Sequence, residues 1–350
     1  MLTPKFKQFV LNNAIWLIIL LVGLFFAIVG GSSFLSGINF INILLHASVL
    51  GILTIGQAIV LLSGNFDLSA EGTLSLVTVV GAYLMLPYQA NAIAQAGGIG
   101  WQLSPYIVIP IMLAIGTLAG FINGIFIGHL KMNAFIVTLA MQLILRGLGY
   151  VISKGAIMPG TPATFNWLGA GRIGSMPVSV IVTLVLFVVF GFILKNTRFG
   201  RQLYSVGANK DAARASGFNI KMTVTQAYMI SGFLAGLAGW MLLGRLQASS
   251  PTLGAGRTLE TVAAAVIGGI SLYGGMGTIL GAFSGVLLLS VIADGLNVIS
   301  VNTFWVDAVR GLIILVALVI EAQKVRVKVH SKVVCPASTP ETTTDLPEKK

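Results

Sequence analysis

Charged side chains are scarce in this chain, and those that interrupt its apolar stretches are the first candidates for chemistry. Asp67 and Glu71 are the only Asp, Glu, Lys or Arg residues between Lys7 and Lys131. Asp67 can cap a following helix, and Glu71, one turn later, adds negative charge near the positive end of that helix. We expect these carboxylates either to stabilise a helix end or to serve in gating or substrate binding.

A second set of charges lies nearer the C-terminus. Asp307 and Arg310 are three residues apart, a spacing that permits an ion pair within one helix, and pairing is how charge is tolerated inside a membrane. Arg146, Glu260 and Asp294 would have to find partners on other helices. The pattern does not form a proton-relay chain.

The longest polar segment between two apolar stretches runs from Lys195 to Lys221. It has one acid, Asp211, and six cations, which are Lys195, Arg198, Arg201, Lys210, Arg214 and Lys221. This bias predicts a cytoplasmic loop. The helix formers from Asn209 to Ala215, with Asn209 as a cap and Gly217 as a stop, predict one short helix that a motor or regulatory partner could grip.

No nucleotide-binding or hydrolytic motif accompanies these charges. The chain lacks G-x-x-x-x-G-K-[ST], H-E-x-x-H and G-x-S-x-G, so we do not expect an enzyme. Cys335 is the only cysteine, and His46, His129 and His330 are scattered. Neither a metal site nor a bound cofactor is expected.

The composition predicts a membrane protein. Of 350 residues, 56% are hydrophobic and only 9% are charged, which is too much apolar surface for one soluble core. The net charge of +11 could indicate nucleic acid, but the basic residues lie between apolar stretches and at the two ends of the chain, so membrane topology explains them better and no nucleic acid is expected as a partner. We expect an all-α, polytopic transmembrane helical bundle in contact with lipid.

About ten stretches are apolar enough to cross a bilayer, which takes about 20 residues. They are Ala14–Gly30, Ile41–Leu62, Leu68–Leu86, Tyr106–Gly128, Ala134–Ser153, Pro177–Leu194, Met222–Gly244, Thr258–Tyr273, Met276–Ile299 and Phe304–Ile320. The eighth is short and rich in glycine, so nine spans or a re-entrant segment there is the alternative. The first is interpreted as an uncleaved signal anchor.

Counting spans from a cytoplasmic N-terminus leaves six of the 21 Lys and Arg residues away from the cytoplasmic side. Those six are Arg146, Lys154, Arg172, Arg245, Arg257 and Arg310. This asymmetry predicts that both termini are cytoplasmic. The expected organisation is a cytoplasmic N-terminus over residues 1–13, a transmembrane domain over 14–321 with a cytoplasmic loop at 195–221, and a largely disordered cytoplasmic tail over 322–350.

An internal repeat is visible in the glycine pattern. Gly116–Gly124 and Gly277–Gly285 both read GT[LI]xGx[IF]xG, and Asn133–Val137 parallels Asn302–Val306. The predicted spans carry the two copies in opposite directions, which indicates an inverted repeat, a frame suited to alternating access. Glycines every fourth residue share one helix face and let a neighbouring backbone approach, so this face serves close packing or sliding.

Several motifs together resemble one family. The segment from Asn196 to Arg201, with Val206–Asn209 and Ala212–Gly217, resembles the N-T-x-x-G-R…G-x-N…A-A-x-x-S-G pattern of membrane subunits of bacterial ABC importers for monosaccharides, such as ribose, galactose, xylose and arabinose. Gly64–Ser69 resembles the family's G-x-[IT]-D-L-S. Asn133–Leu139 and Gly268–Thr278 resemble its P-F-[IV]-x-T-L and G-G-x-S-x-x-G-G-x-G-T segments, and the likeness extends from about Ile41 to Ile320.

The resemblance implies a permease of the bacterial inner membrane with several partners. These are a cytoplasmic ATP-binding subunit, a periplasmic sugar-binding protein, a second permease subunit and a small sugar as substrate. The residues implied in coupling to the ATPase are Arg198, Gly200, Arg201, Gly207, Asn209, Ala212, Ala213, Ser216 and Gly217. The pathway or gating candidates are Asn65, Asp67, Ser69, Glu71, Asn123, Asn133, Phe135, Thr138, Asp307 and Arg310.

The chain departs from the family pattern around Asp67. Asn65 and Phe66 replace the usual Gly-Ile, and Ala70 and Glu71 replace the usual Val-Gly, so Glu71 adds a carboxylate that many members lack. The alternatives left open are a permease for branched-chain amino acids or nucleosides, an ion-coupled secondary transporter that uses its own acids, and a membrane scaffold that transports nothing.

Overall fold

The computed structural model describes residues 14–86 and 101–302, with Trp305, Val306, Ala308, Val309, Gly311, Leu312, Leu315 and Val319 beyond them. The α-helices of this part of the chain are α1 (Ala14–Phe34), α2 (Gly37–Leu62), α3 (Ala70–Met85), α4 (Pro105–Gly124), α5 (Ala134–Ser153), α6 (Ala163–Ala170), α7 (Val178–Asn196), α8 (Arg198–Ala208), α9 (Lys210–Ala215), α10 (Ile220–Leu246), α11 (Arg257–Ile267) and α12 (Ile279–Val298). A π-helical turn, Ile125–His129, continues α4. Two antiparallel pairs of two-residue strands complete the described elements: β1 (Met158–Pro159) with β4 (Ala248–Ser249), and β2 (Arg172–Ile173) with β3 (Met176–Pro177).

Seven described helices are long and apolar enough to cross a membrane: α1, α2, α4 with its π turn, α5, α7, α10 and α12. They correspond to seven of the ten predicted stretches, and α3 is a shorter apolar helix of 16 residues. The stretch Thr258–Tyr273 is different, because its helix, α11, has only 11 residues. The chain turns at Gly269, whose φ of +89° suits glycine and ends the helix.

The predicted tenth stretch lies mostly outside the described residues, as do the predicted cytoplasmic N-terminus and tail. The total number of spans therefore stays a prediction. The all-α polytopic bundle is what the described helices show.

Helices α2 and α10 form the centre of the bundle. Both begin at a capped end, since Ser36 accepts a hydrogen bond from the Asn39 amide and Asn219 accepts one from the Met222 amide. Most of their residues are buried, whereas α1 is almost entirely exposed. Exposed apolar side chains on α1 suit contact with lipid, and the buried pair provides a rigid frame for the shorter helices.

The predicted glycine faces pack helices closely together. Gly116, Gly120 and Gly124 of α4 lie against the backbone of α10, and a Cβ atom on Gly124 would come within 2.7 Å of the Thr225 Cα atom. Gly281 and Gly285 of α12 lie in the same way against α11. With no side chains between them, the backbones gain dispersion contacts, which are the main attraction between helices in lipid. The structure thus shows close packing, and sliding along these faces stays a prediction.

The two glycine repeats run in opposite directions. Tyr204 of α8 donates a hydrogen bond to the Gly277 carbonyl, which precedes α12, at 2.8 Å. The π turn at the end of α4 lines one pocket with Lys210 and Arg214 of α9. Because α4 ends and α12 begins at the face that carries α8 and α9, the repeat is inverted, as predicted.

We predict that Gly120→Ala destabilises the folded protein. The new Cβ would overlap the Tyr228 carbonyl oxygen, and neither backbone can move without disturbing the α4–α10 contact. Overpacking of this kind costs about 1–3 kcal/mol. Thermal unfolding in detergent measures the loss. Gly147→Ala on α5 is the matched control, because nothing lies within 4 Å of its Cβ position. Equal stability of the two variants would contradict the prediction.

Candidate functional site

Asp67 is the centre of a buried polar cluster between α2, α3, α4 and α10. It is 2% exposed and lies in the unwound segment between α2 and α3. Its Oδ1 atom accepts hydrogen bonds from the Ser69 amide at 2.9 Å and the Ser69 hydroxyl at 2.6 Å, and its Oδ2 atom accepts one from the Ser231 hydroxyl of α10 at 2.7 Å. The carboxylate therefore ties the segment before α3 to the central helix α10.

Two further hydrogen bonds extend this cluster. Asn123 of α4 donates to the Ser69 hydroxyl at 2.8 Å, and Tyr228 of α10 donates to the Phe66 carbonyl at 2.6 Å. Asn65 is also buried and bonds to Ser63. Predicted residues from two separate motifs therefore meet in one cluster, and they are held by α10 residues that the motifs did not contain.

Glu71 lies where the N-termini of α3 and α11 meet. Its Oε2 atom accepts a hydrogen bond from the Gly256 amide at 2.9 Å, and its Oε1 atom is 3.6 Å from an Arg146 guanidinium nitrogen on α5. The Glu71 amide donates to the Thr258 hydroxyl of α11 at 3.3 Å. Both helix ends present positive partial charge, so a carboxylate between them is favourable. The negative charge predicted for Glu71 at one helix end thus lies at two of them, while the N-cap residue of α3 is Ser69, to which Asp67 is hydrogen-bonded.

The predicted coupling segment contains two helices rather than one. The predicted short helix is α9, where the Asn209 side chain accepts from the Asp211 amide at 2.9 Å and the Ala212 amide at 3.0 Å. Gly217 follows it with a φ of +78°. The additional helix is α8, capped by Thr197, and it is amphipathic because Leu203 and Val206 are buried while its arginines are exposed.

Three of the predicted coupling residues anchor this segment to the bundle. Gly200 of α8 lies against the Leu194 carbonyl, and Gly207 lies against the Leu62 carbonyl, in each case too closely for a side chain. Ala213 of α9 is 2% exposed. Gly200 and Ala213 are buried and Gly207 is partly buried, so these residues face the bundle more than a partner.

Tyr204 adds a polar contact to the same anchor. Burial raises the pKa of its phenol, so the hydroxyl stays protonated and available to donate to the Gly277 carbonyl. The other predicted coupling residues are exposed, and these are Arg198, Arg201, Asn209, Ala212, Ser216 and Gly217.

The predicted gating residues on α5 make hydrogen bonds within their own helix. Asn133 caps α5 by accepting from the Phe135 amide at 2.9 Å, and Phe135 is 54% exposed. Thr138 is buried and donates to the Ala134 carbonyl of its own helix. Asp307 and Arg310, the predicted ion pair, lie outside the described residues.

Sequence reasoning missed the partners that come from distant segments. Nothing in the spacing of Ser231, Tyr228 and Thr258 distinguishes them from other serines, tyrosines and threonines. Arg257 and Glu260 form an ion pair at 3.6 Å, and an i, i+3 spacing was the signal that could have found it.

The seven long apolar helices, the short helices that meet inside the bundle and the amphipathic segment on one face are those of a multi-pass helical membrane protein. Residues 39–318 match the sequence profile of the family described as the permease component of the branched-chain amino acid transport system. The chain belongs to this family, and it is a transport protein of the inner membrane, not an enzyme.

Known relatives resemble most of the chain. The ribose import permease protein of Escherichia coli strain K12 is 33% identical over 82% of this chain and 86% of its own length. The galactose/methyl galactoside import permease protein of Haemophilus influenzae is 34% identical over 89% and 94%. The fructose import permease protein of Rhizobium meliloti is 30% identical over 91% and 88%. No solved structure matches the chain. The resemblance to sugar-import permeases is thereby confirmed.

We predict that Asp67→Asn lowers both stability and transport. The amide keeps the size of the side chain but replaces one acceptor oxygen with a donor, so the hydroxyl of either Ser69 or Ser231 loses its bond. A buried group left without its partner costs about 1–3 kcal/mol. Thermal unfolding and uptake are the measurements. Ser290→Ala is the control, because that buried hydroxyl has no hydrogen-bond partner among the described residues. Wild-type uptake by Asp67→Asn would leave this carboxylate no role beyond packing.

We also predict a favourable coupling energy between Glu71 and Arg146. The Glu71 side chain is 8% exposed and that of Arg146 is 32% exposed, so solvent weakens their attraction only in part. A double-mutant cycle with Glu71→Gln and Arg146→Gln should give on the order of 1 kcal/mol. The exposed pair Asp211 and Arg214 provides the comparison, with a coupling near zero. A cycle that closes without coupling at Glu71 would mean that the hydrogen bond from the Gly256 amide, and not the Arg146 charge, positions this carboxylate.

Proposed function

We propose that this chain is the membrane permease subunit of an importer that moves a monosaccharide across the inner membrane. In this proposal a periplasmic binding protein delivers the sugar, and a separate cytoplasmic ATPase drives transport. The observation that carries the proposal is the likeness over at least 82% of the chain to permeases named for ribose, galactose and fructose. We further propose that both termini are cytoplasmic, in line with the distribution of Lys and Arg.

The segment α8–α9 is proposed as the coupling element for the ATPase. Its exposed face offers Arg198, Arg201 and Ala212 to a partner, while its buried residues pack against the ends of α2 and α7. A force applied to α9 would thus be passed to the bundle through the contacts of Ala213, Gly207 and Tyr204. This arrangement suits a mechanical link between a motor and a gate.

The gate is proposed to lie at the interrupted helices. ATP binding would move two copies of α9 together, one from each permease subunit of a homodimer or of two related chains. That movement would be passed through α8 to the C-terminal end of α2, to Gly277 before α12 and to α10, whose Ser231 is hydrogen-bonded to Asp67. Alternation of the cluster at Asp67 between two arrangements would then open the pathway to one side at a time.

We predict that Ala212→Asp abolishes ATP-driven uptake while the protein still folds. Ala212 is exposed, so a carboxylate there adds charge to the proposed contact without disturbing the core. If the carboxylate weakens the binding free energy between the permease and the ATPase by about 1.4 kcal/mol or more, uptake in proteoliposomes should fall at least tenfold. Ala213→Asp would be a poor test, because Ala213 is buried and the substitution would place an unpaired charge in the core.

Ala163→Asp is the matched control for this experiment. It introduces the same charge at an exposed alanine in the first turn of α6, far from α9 in the sequence. Normal uptake by Ala212→Asp would contradict the coupling role. Uptake that survives without the ATPase and collapses with a protonophore would instead favour an ion-coupled transporter.

A further inference from the structure

A pocket of about 520 Å³ opens beside the proposed coupling helix. It lies between α9, the beginning of α10 and the π turn that ends α4. Asn65, from the segment that carries Asp67, and the buried side chains of Ile127 and Val224 also line it. The pocket therefore joins the coupling segment, the two closely packed helices and the neighbourhood of the buried carboxylate.

Four cations from three separate parts of the chain line this pocket: Lys131, Lys210, Arg214 and Lys221. No acidic residue lines it. Among the described residues no carboxylate forms a salt bridge with any of the three lysines, and the pair of Arg214 with Asp211 at 3.5 Å is exposed and therefore weak. Like charges gathered around one concave surface repel one another unless an anion lies between them.

The backbone around the pocket has two unusual features. Lys131 has a φ of +55°, a conformation that is uncommon for a residue other than glycine. It follows the π turn, and such turns are frequent at functional sites. The N-terminus of the 27-residue helix α10, which carries Lys221, adds positive partial charge at the same rim.

We propose that this pocket binds a phosphate group, carried either by a water-soluble phosphate ester of the cytoplasm or by the headgroup of an anionic phospholipid. A phosphate offers several strong acceptor oxygens and one to two negative charges, which matches several separate lysine and arginine donors better than a single carboxylate does. The volume of the pocket accommodates a small organic group in addition to the phosphate, beside the Asn65 amide and the apolar wall.

A ligand in this pocket would connect α9 to α4 and α10. If α9 moves relative to these helices during transport, the ligand stabilises the arrangement to which it binds and opposes the movement. This consequence rests on the proposed function. A ligand at ten times its dissociation constant would then lower uptake by about elevenfold.

The test is phosphate binding to the full-length chain in phosphatidylcholine nanodiscs, without the ATPase. Inorganic phosphate and glucose 6-phosphate are the soluble probes, and isothermal titration calorimetry at low and high salt is the measurement. Lys131→Gln and Lys221→Gln should each weaken binding about tenfold, because each removes one charge-assisted hydrogen bond. Lys195→Gln is the matched control, since Lys195 is exposed on the neighbouring helix α7 but does not line the pocket.

A parallel arm identifies the source of the phosphate. Nanodiscs that contain phosphatidylglycerol should abolish glucose 6-phosphate binding if the headgroup fills the pocket, and the lipid should then copurify with the wild type and the control more than with Lys131→Gln. Either source supports the proposal. Thermal unfolding of each variant shows whether it is folded, and the two single variants provide independent tests.

Three results would overturn the proposal. The first is that neither the soluble probes nor the lipid binds to the wild type, and the second is that both pocket variants bind like the wild type and the Lys195→Gln control. The third is that the pocket variants lose only assembly with the ATPase, because the cations would then contact an acidic surface of that partner. Because binding is measured without the ATPase, its failure is distinct from a failure of sugar uptake.

Discussion

Two helix N-termini that meet inside an apolar bundle must have their positive ends compensated, and this constraint organises the centre of the protein. The helices α3 and α11 begin beside each other, so the first amide groups of both need acceptors. The Glu71 carboxylate accepts from the Gly256 amide at the start of α11, and the Thr258 hydroxyl accepts from the Glu71 amide of α3. Asp67 accepts from Ser69 at the end of the unwound segment that precedes α3. Unwound backbone at this depth is tolerated because it is enclosed by protein. The unwound segment separates the end of α2, which contacts α8, from α3.

Periodic and local features of the fold could be predicted from the sequence, because apolar length, caps and glycine spacing act within one helix. The helix α9, with Asn209 and Gly217 at its ends, and the inverted glycine repeats are of this kind. Contacts that depend on tertiary geometry could not be predicted. A hydroxyl such as that of Ser231 gains its role only from the 2.7 Å approach to Asp67, and no local pattern marks it. The early end of α11 was foreseen only as an alternative, since hydrophobicity alone treats the glycines after Ile267 as part of a span.

The segment from Arg198 to Gly217 shows why one sequence pattern can serve two purposes. Gly200, Gly207 and Ala213 are small because the bundle lies directly behind them, whereas the arginines and Ala212 face outward. A residue in this pattern is therefore not by itself a contact for another subunit. Small anchors hold the segment rigidly to the ends of α2 and α7, and rigidity is what a lever needs if it is to transmit movement instead of absorbing it.

The π turn at the end of α4 keeps a glycine ridge in angular phase. Residues four apart in an α-helix overshoot a full rotation by about 40°, so a ridge of this spacing drifts around the helix. A π-helical turn contains more residues in each rotation than an α-helical turn, so four residues within Ile125–His129 fall short of a full rotation. The drift is therefore reversed between Gly124 and Gly128. Gly128 thereby still lies against the Lys221 carbonyl, twelve residues after Gly116 met Gly232. The backbones of α4 and α10 consequently stay in contact to the edge of the bundle, so a displacement of one helix would carry the other with it.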